Sequence, residues 1–142
     1  MKKVIAIDIG LKRCGIAETD ALQIIASPRA TIDADKIENF LSNILKDEPV
    51  ESIVIGLPLD NKGNLNEDVE HKCQKVIHFL RENFPEINIF RIDERYSSKL
   101  AQKALIQSGM KKKKRKIKGN LDQVSAAILL QDFLDLRHSL LK

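Results

Sequence analysis

The sequence predicts an α/β domain with a mixed five-stranded sheet flanked by helices. Near the start of the chain, short apolar runs of β type are separated only by turn-forming residues, which is typical of an antiparallel meander. Further on, helical and extended apolar patterns alternate, which predicts crossover connections and parallel strands. A length of 142 residues suits one domain with its own core. We therefore expect residues 1–142 to form a single domain.

The meander is predicted in the first 27 residues. Residues 3–9 are a short apolar run of β type, and Gly10–Arg13 can turn the chain into a second strand at about Cys14–Glu18. Apolar alternation continues through Gln23–Ser27 and indicates a third strand. Because only short turns join them, these three strands are expected to pair antiparallel.

A helical period replaces the alternation after this point. Asp33 is placed to cap a helix that Pro49 ends. The apolar residues of that helix follow a spacing of 3, 4, 7 and 8, and they are Ile37, Phe40, Leu41, Ile44 and Leu45. The next run, Ser52–Leu57, has the apolar character of a strand buried on both faces, and the turn-rich stretch Pro58–Gly63 follows it.

The second half of the chain repeats the helix and strand alternation. Asn64 and Glu67 have capping-box spacing before a helix that reaches about Asn83. Its predicted inner stripe consists of Val69, Cys73, Val76, Ile77 and Leu80. Beyond Pro85, residues 87–92 predict the last strand, and two final helices are expected at about 98–108 and 121–137.

The basic charge of the chain is concentrated in one segment. The run 111–118 carries seven positive charges, so the formal net charge of +4 leaves −3 on the rest of the chain. Like charges repel, and we expect a mobile, solvated loop at about 109–119 between the two final helices. Such a loop can serve solubility alone, but its place in the sequence beside Asp122 favours contact with a polyanion such as a phosphate backbone.

Cysteine usage and hydropathy favour a reduced, cytoplasmic protein. Cys14 and Cys73 lie far apart and form no CxxC motif, which argues against a disulfide framework and against a zinc ribbon. The first apolar stretch is interrupted by an aspartate after four residues, so it does not read as a secretion signal. No segment has the length of a membrane span, and no membrane partner is expected.

Three acids stand where apolar segments meet loops or a helix start. Asp8 closes the first apolar run, Glu94 follows the last predicted strand, and Asp122 opens the final helix. In parallel sheets ligands bind outside the carboxyl ends of the strands, which gathers Asp8 and Glu94 at one edge. A carboxylate in such a place is costly unless it is paired or binds a metal, so the three acids together suggest one metal site.

The helical phase of the final segment directs Asp122 toward that edge. Its stripe is apolar below the acid and consists of Asp122, Ala126, Leu129, Phe133 and Leu136. Two of the three acids also have an ordinary structural explanation. Asp8 can form an Asx-turn before Gly10, and Asp122 can be stabilised by the helix dipole next to a capping box of Asn120 and Gln123.

Four segments, in order, resemble the YqgF/RuvX family of RNase H-like nucleases. They are Asp8–Asp20, Val54–Leu59, Asp93–Ser98 and Asp122–Gln131, and the likeness runs from about Val4 to Leu134. The resemblance implies an RNase H-like fold, a cytoplasmic bacterial protein and a nuclease role in maturing the 5′ end of the 16S ribosomal RNA precursor. It also implies a second candidate role, Holliday-junction resolution. Tyr96, Ser98 and Ser125 depart from the usual leucine, threonine and alanine of the family.

The resemblance assigns the family's acidic positions to Asp8, Glu94 and Asp122 as catalytic and metal-binding residues. Oxygen ligands suit Mg²⁺ or Mn²⁺, and two ions about 4 Å apart can drive phosphodiester hydrolysis. Asp93 alternates to the opposite face from Glu94 and is the weakest candidate. The residues expected to bind nucleic acid are Arg13, Arg95, Lys111, Lys112, Lys113, Lys114, Arg115, Lys116 and Lys118. Arg13 is equally compatible with a salt bridge to Glu18 or Asp20.

Two other classes of function fit part of the sequence. The segment Ile7–Gly10 also resembles the first phosphate loop of actin-like ATPases, but such enzymes need two similar domains and this chain has room for one. A non-catalytic RNA-binding or ribosome-assembly factor would keep the acids as structure and bind through the lysine run. The expected partner is structured RNA or branched DNA, and the sequence is compatible with a monomer or a homodimer.

Overall fold

The computed structural model of the protein describes residues 1–93 and 118–140. The predicted helix at 98–108 and the basic run up to Ile117 lie outside these residues. The described elements are, in chain order, β1 (Lys3–Ile9), β2 (Arg13–Thr19), β3 (Ala26–Asp33), a 3-10 turn (Ala34–Lys36), α1 (Ile37–Asp47), β4 (Val50–Leu57), α2 (Glu67–Asn83), β5 (Asn88–Asp93) and α3 (Lys118–Leu140).

The sheet has the order β3-β2-β1-β4-β5 and mixes both pairing directions. β1, β2 and β3 form the predicted antiparallel meander, whereas β1, β4 and β5 run parallel because helices connect the later strands. The carboxyl ends of β1, β4 and β5 therefore lie along one edge of the sheet. Both the mixed five-stranded sheet and its strand directions are confirmed.

Helices cover the two faces of the sheet. The side chains of Ile5, Ile7 and Ile9 pack with the buried stripes of α1 and α2, and these stripes are the predicted ones. Val4 and Ala6 point the other way and pack with Ala126, Leu130, Phe133 and Leu134 of α3. β1 is consequently the central strand of the sheet and has one apolar cluster on each side.

The third strand begins later than predicted. Residues 20–25 form a turn in which the Asp20 carboxylate accepts hydrogen bonds from the backbone N–H groups of Leu22, Ile24 and Ile25. Those N–H groups cannot join a strand ladder, so β3 starts at Ala26 instead. Two of the apolar side chains that suggested the strand, Ile24 and Ile25, are exposed.

Two helix starts also differ from the prediction. Asp33 precedes the 3-10 turn without a side-chain capping bond, and α1 begins only at Ile37. The cap of α2 is Asn66 rather than Asn64, because the Asn66 side chain accepts a hydrogen bond from the Val69 N–H at 3.2 Å. The Asn64 N–H instead bonds the Asp60 carboxylate within the preceding turn.

The last helix is longer than predicted at both ends. It begins at Lys118, which places Asp122 beyond the first turn, so the helix-start explanation for this acid is weakened. The contact of Asp122 with Gly15 and the apolar cluster further along the helix hold the helix against the sheet. The predicted stripe holds for Ala126, Leu129 and Phe133, but Leu136 is 54% exposed because α3 has passed the edge of its apolar cluster.

Partly buried ion pairs stand at the two ends of the sheet. At the amino end of β1, Lys3 and Arg29 pair with Glu18 and Glu48 in a four-membered network. At the opposite end, the Arg91 guanidinium binds the Glu70 carboxylate at 2.6 and 2.9 Å and also donates to the Ile55 and Gly56 carbonyls. That second cluster fixes α2 and β5 to the carboxyl end of β4.

Candidate metal centre

Asp8 lies near the carboxyl end of β1 and is half-buried. It alternates with Ile7 and Ile9, which face α1 and α2, and it shares the face of Val4 and Ala6, which pack under α3. The strand pairing places its Cα opposite that of Gly15 in β2. The carboxylate of Asp8 is therefore carried on the α3 side of the central strand.

Gly15 brings α3 onto this part of the sheet. A β-carbon built on Gly15 would come 1.9 Å from the carbonyl oxygen of Asp122 and 3.0 Å from the backbone nitrogen of Gln123. Only glycine allows such an approach of helix to strand, since any side chain would collide with the helix backbone. Asp8 and Asp122 are consequently brought to the same end of the sheet through one shared neighbour, Gly15.

The Asp122 carboxylate is held by Arg13, the first residue of β2. Arg13 Nε donates to Asp122 Oδ2 at 3.1 Å, and the two side chains keep 35% and 29% of their surface exposed. The alternative partners expected from the sequence, Glu18 and Asp20, are wrong. Glu18 pairs with Lys3 and Arg29, and Asp20 accepts backbone N–H groups in its own turn.

The charges of both carboxylates affect the pKa of the Cys14 thiol, which lies on the opposite face of the sheet. Cys14 is fully buried in the cluster under α1 and α2, as the sequence suggested. Burial raises the pKa of the thiol to about 11, and the negative charges of Asp8 and Asp122 both add to the rise.

The strand β5 ends at one acid, Asp93, and a second acid, Glu94, follows it in the sequence. Phe90 and Ile92 pack toward α3, whereas Ile89 faces the α1 and α2 cluster and Arg91 binds Glu70 on α2. Asp93 follows this second set, is exposed and is in register with Leu57. Glu94 comes directly after it in the sequence and lies outside the described residues.

The acids of the described ranges do not form a three-ligand cluster by themselves. Within residues 1–93 and 118–140, the structure contains no group of three His, Cys, Asp or Glu side chains that could hold one metal ion. Asp8 and Asp122 supply oxygen donors that suit Mg²⁺ or Mn²⁺, and water, substrate phosphate or a third carboxylate donor would fill the remaining positions. Glu94 is the sequence candidate for that donor.

Most of the predicted nucleic-acid-binding residues lie outside the described ranges. These are Arg95, Lys111, Lys112, Lys113, Lys114, Arg115 and Lys116. Lys118 is the first residue of α3, four residues before Asp122. Arg13 is described, and its guanidinium lies beside Asp122.

The turn that follows β4 stands on the same edge of the sheet. The Asp60 carboxylate accepts from the N–H groups of Lys62 and Asn64, and the Asn66 N–H bonds the Pro58 carbonyl at 2.8 Å. A cleft of about 200 Å³ lies between this turn, Ile9 and the start of α2. The expectation that the loop after Gly56 reaches the strand ends agrees with this arrangement.

Gly15 is the site residue that the sequence analysis missed. Its signal was available, because an isolated glycine within a strand pattern indicates a bulge or a close backbone approach. The partner of that approach could not be read from the sequence, since Asp122 is 107 positions further along the chain.

The family of the chain follows from its sequence. The model of the family described as "RuvX: Holliday junction resolvase" matches residues 2–136. The chain belongs to the RuvX family. Relatives named "Putative pre-16S rRNA nuclease" include one from Amoebophilus asiaticus, 48% identical over 134 residues that make up 94% of each chain. Another, from Bacteroides thetaiotaomicron, is 38% identical over 135 residues, which are 95% of this chain and 97% of that protein.

Solved structures agree with the RuvX assignment at the level of the fold. Thermus thermophilus RuvC in complex with a Holliday junction substrate superposes with a TM-score of 0.58 and 14% identity, over 96% of both chains. A second structure of the same protein gives a TM-score of 0.55. The RNase H-like fold implied by the sequence resemblance is thereby confirmed. Among the described helices of this RuvX protein, none has the length and apolar character to cross a membrane.

Proposed function

We propose that this RuvX protein is a divalent-metal-dependent nuclease that hydrolyses phosphodiester bonds, and that its substrate is the 5′ end of the 16S ribosomal RNA precursor. The observation that carries the proposal is the convergence of Asp8 and Asp122 through Gly15 at one end of an RNase H-like sheet. The choice of substrate is supported by the relatives named for pre-16S rRNA, which match the chain over nearly its whole length.

Asp8, Glu94 and Asp122 are the proposed metal ligands, and the proposed ion is Mg²⁺ or Mn²⁺. Asp8 stands on the central strand and Asp122 on a helix that packs against Gly15, so the backbones of both proposed ligands are held in place before an ion arrives. Glu94 completes the set from the segment after β5. When bound, such ions activate water and stabilise the leaving oxygen.

The proposed contacts to the substrate come from cations at the same edge. Arg13 is the one for which the structure gives a position, beside Asp122 and partly exposed. Arg95 follows Glu94 in the sequence, and the basic run from Lys111 to Lys118 leads into α3 and hence toward Asp122. Phosphate contacts of this kind position the nucleic acid without selecting its sequence.

Cleavage assays test the proposal directly. Wild type, Asp8→Asn and Asp122→Asn are incubated with labelled precursor rRNA and Mg²⁺ or Mn²⁺, and Asp135→Asn serves as the matched control because it makes the same change on an exposed part of α3. We expect the first two variants to lose at least a hundredfold in rate and the control to cleave like wild type. Equal cleavage by all four proteins would assign the activity to another site or to a contaminant.

Holliday-junction resolution is the second candidate function. It is supported by the description of the family and by the fold of RuvC. Paired cuts in a four-way junction favour a symmetric dimer with two active sites. The same assay on a labelled four-way DNA junction separates the candidates. Cleavage of the junction and not of the precursor RNA, by a protein that sediments as a dimer, would replace our substrate assignment.

A non-catalytic RNA-binding role makes a different prediction. It requires binding of precursor RNA by the wild-type chain without metal-dependent cleavage of either substrate. We propose the nuclease because the acids converge, and the binding module would instead rest on the lysines alone. Mn²⁺ binding that disappears in Asp8→Asn would count against the binding module, and unchanged Mn²⁺ binding would remove Asp8 from our ligand set.

The role of the basic run is tested through salt dependence. We compare a variant with Lys112, Lys113 and Lys114 changed to glutamine with a control that neutralises three exposed cations elsewhere, Lys36, Lys46 and Arg81. The logarithm of the binding constant falls as the logarithm of the salt concentration rises, and each lost phosphate contact should reduce the magnitude of this negative slope by about 0.7 to 0.9. We expect a decrease of about 2 in the first variant and none in the control. An unchanged slope would give the run a solubility role.

A further inference from the structure

We propose that Arg13 is a positioning residue that pairs with the Asp122 carboxylate and competes with a metal ion for it. The inference rests on the proposed function, because it takes Asp122 as a metal ligand. It adds an internal cation to the site, one that the chain itself supplies. The expected consequence is that removing Arg13 tightens metal binding.

The first observation is the geometry of the pair. Arg13 Nε lies 3.1 Å from Asp122 Oδ2, which is a hydrogen-bonded ion pair between strand and helix. It uses Nε and is not the bidentate arrangement that gives the strongest Arg–carboxylate pairs. Both side chains are about one third exposed, so water and ions can reach them. The pair is therefore of the kind that can open at small cost.

The second observation is that the Asp122 backbone does not depend on Arg13. The contact of α3 with Gly15 places the Asp122 carbonyl against β2, and the apolar side chains of Ala126, Leu130 and Phe133 anchor the rest of the helix. Asp122 thus stays at this end of the sheet when its side chain exchanges partners. The Arg13 side chain can instead exchange the Asp122 carboxylate for another anion.

Charge makes the Arg13 guanidinium and a metal ion compete for the Asp122 carboxylate. A divalent ion bound to the Asp122 oxygens would stand within a few ångströms of the Arg13 guanidinium, and like charges at that distance repel. Arg13 has to withdraw or shift when the ion binds. Since a guanidinium matches phosphate as well as carboxylate, the released side chain is available to a substrate phosphate.

Metal titration provides the test. Mn²⁺ binding to the full-length wild-type chain, Arg13→Gln and Arg13→Lys is measured by isothermal titration calorimetry without nucleic acid. Arg81→Gln is the control, because it removes one positive charge from an exposed position at the far end of α2. We expect Arg13→Gln to bind Mn²⁺ about three- to fivefold more tightly, as loss of a partly exposed ion pair allows. Arg13→Lys and the control should stay within twofold of wild type.

Thermal unfolding supplies a second readout that needs no activity. Without metal, Arg13→Gln should unfold at the temperature of wild type or slightly below it, and saturating Mn²⁺ should raise its midpoint by more than it raises that of wild type. A merely structural role for Arg13 would weaken folding and metal binding together. Equal or weaker Mn²⁺ binding by a folded Arg13→Gln protein would overturn the proposal.

The results also separate this proposal from the proposed function. If Mn²⁺ binds to wild type and its affinity falls in Asp122→Asn, the metal assignment stands, and the Arg13 variants alone decide the competition. If Asp122→Asn binds Mn²⁺ as wild type does, Asp122 is not a ligand and both proposals fail.

Discussion

Gly15 lies directly beneath the backbone of Asp122, at a separation that leaves no room for a β-carbon on the strand. The obstacle at 1.9 Å is the carbonyl oxygen of a helix, and it cannot rotate away as a side chain would. We predict that Gly15→Ala destabilises the protein by about 2–4 kcal/mol, because α3 must move off the sheet. Urea unfolding measures the loss, and a variant as stable as wild type would show that α3 does not sit this close.

The displacement should also reach the candidate metal centre. We predict that Gly15→Ala weakens Mn²⁺ binding at least tenfold at a temperature where the variant is still folded, because Asp122 moves away from Asp8. Circular dichroism at that temperature checks the folded state, and calorimetry gives the affinity. Folded Gly15→Ala with wild-type affinity would separate Asp122 from the metal centre.

Ser125 offers a stabilising substitution on the same helix. Its side chain is 1% exposed, and its hydroxyl oxygen has no hydrogen-bond partner within the described part of the chain. A buried hydroxyl without a partner costs free energy that alanine does not, so Ser125→Ala should raise the free energy of unfolding by about 1 kcal/mol. The same change at exposed Ser27 is the control and should stay within about 0.5 kcal/mol of wild type. A destabilised Ser125→Ala would indicate a partner for the hydroxyl.

The cap of α2 separates two neighbouring asparagines. Asn66→Ala removes the hydrogen bond to the Val69 N–H and should cost about 1 kcal/mol of stability. Asn64→Ala is the matched control, and its cost should be smaller because Asn64 is exposed and its side chain bonds the exposed Asp60 carboxylate. Urea unfolding of the two variants compares them. A larger loss for Asn64→Ala would restore the capping box expected from the sequence.

Lowering the pH should reduce the free energy of unfolding through protonation of Glu48. Hydrogen bonds from Arg29 and then Lys3 lower the pKa of this carboxyl from 4.5 to about 2. Since the pKa is depressed on folding, the stabilisation is complete above about pH 4.5 and is lost as the pH falls toward 2. We predict that Glu48→Gln lowers the free energy of unfolding by about 1–2 kcal/mol at pH 7, less than the full shift because the network keeps contact with water.

The pH dependence distinguishes this ion network from an ordinary loss of packing. The difference between wild type and Glu48→Gln should shrink steadily from pH 5 to pH 2 in urea unfolding experiments, because protonated Glu48 no longer pairs with Arg29 or Lys3. A difference that is constant across this range would mean that the carboxylate contributes through its shape and not its charge.

Local periodicity predicted most of the fold, and long-range contacts account for what it missed. The inner stripe of α2 and the apolar run of β4 were predicted correctly, because burial of one helix face or of both strand faces leaves a recognisable pattern of apolar residues in the sequence. β3 was misplaced because Ile24 and Ile25 look like strand residues, whereas Pro28 and Arg29 do not. An edge strand tolerates both, since one side of its backbone is unpaired.

The candidate site divides in the same way. Strand order and helix phase were enough to bring Asp8 and Asp122 to one end of the sheet. The partner of Arg13 was not accessible, because the pattern offered nearby acids such as Glu18, whereas the structure pairs it with a residue 109 positions away. Pairing over that distance depends on how α3 crosses the sheet. A short stretch of sequence around either residue holds no information about that crossing.

The central position of β1 has a dynamic consequence for the residue it carries. β1 is hydrogen-bonded on both edges and covered on both faces, so its backbone amides cannot exchange with solvent through fraying of a strand. The amides of Ile5, Ala6 and Ile7 should therefore exchange hydrogen for deuterium only when the whole domain unfolds. Asp8 directly follows this protected segment, so the strand that carries it should persist until global denaturation.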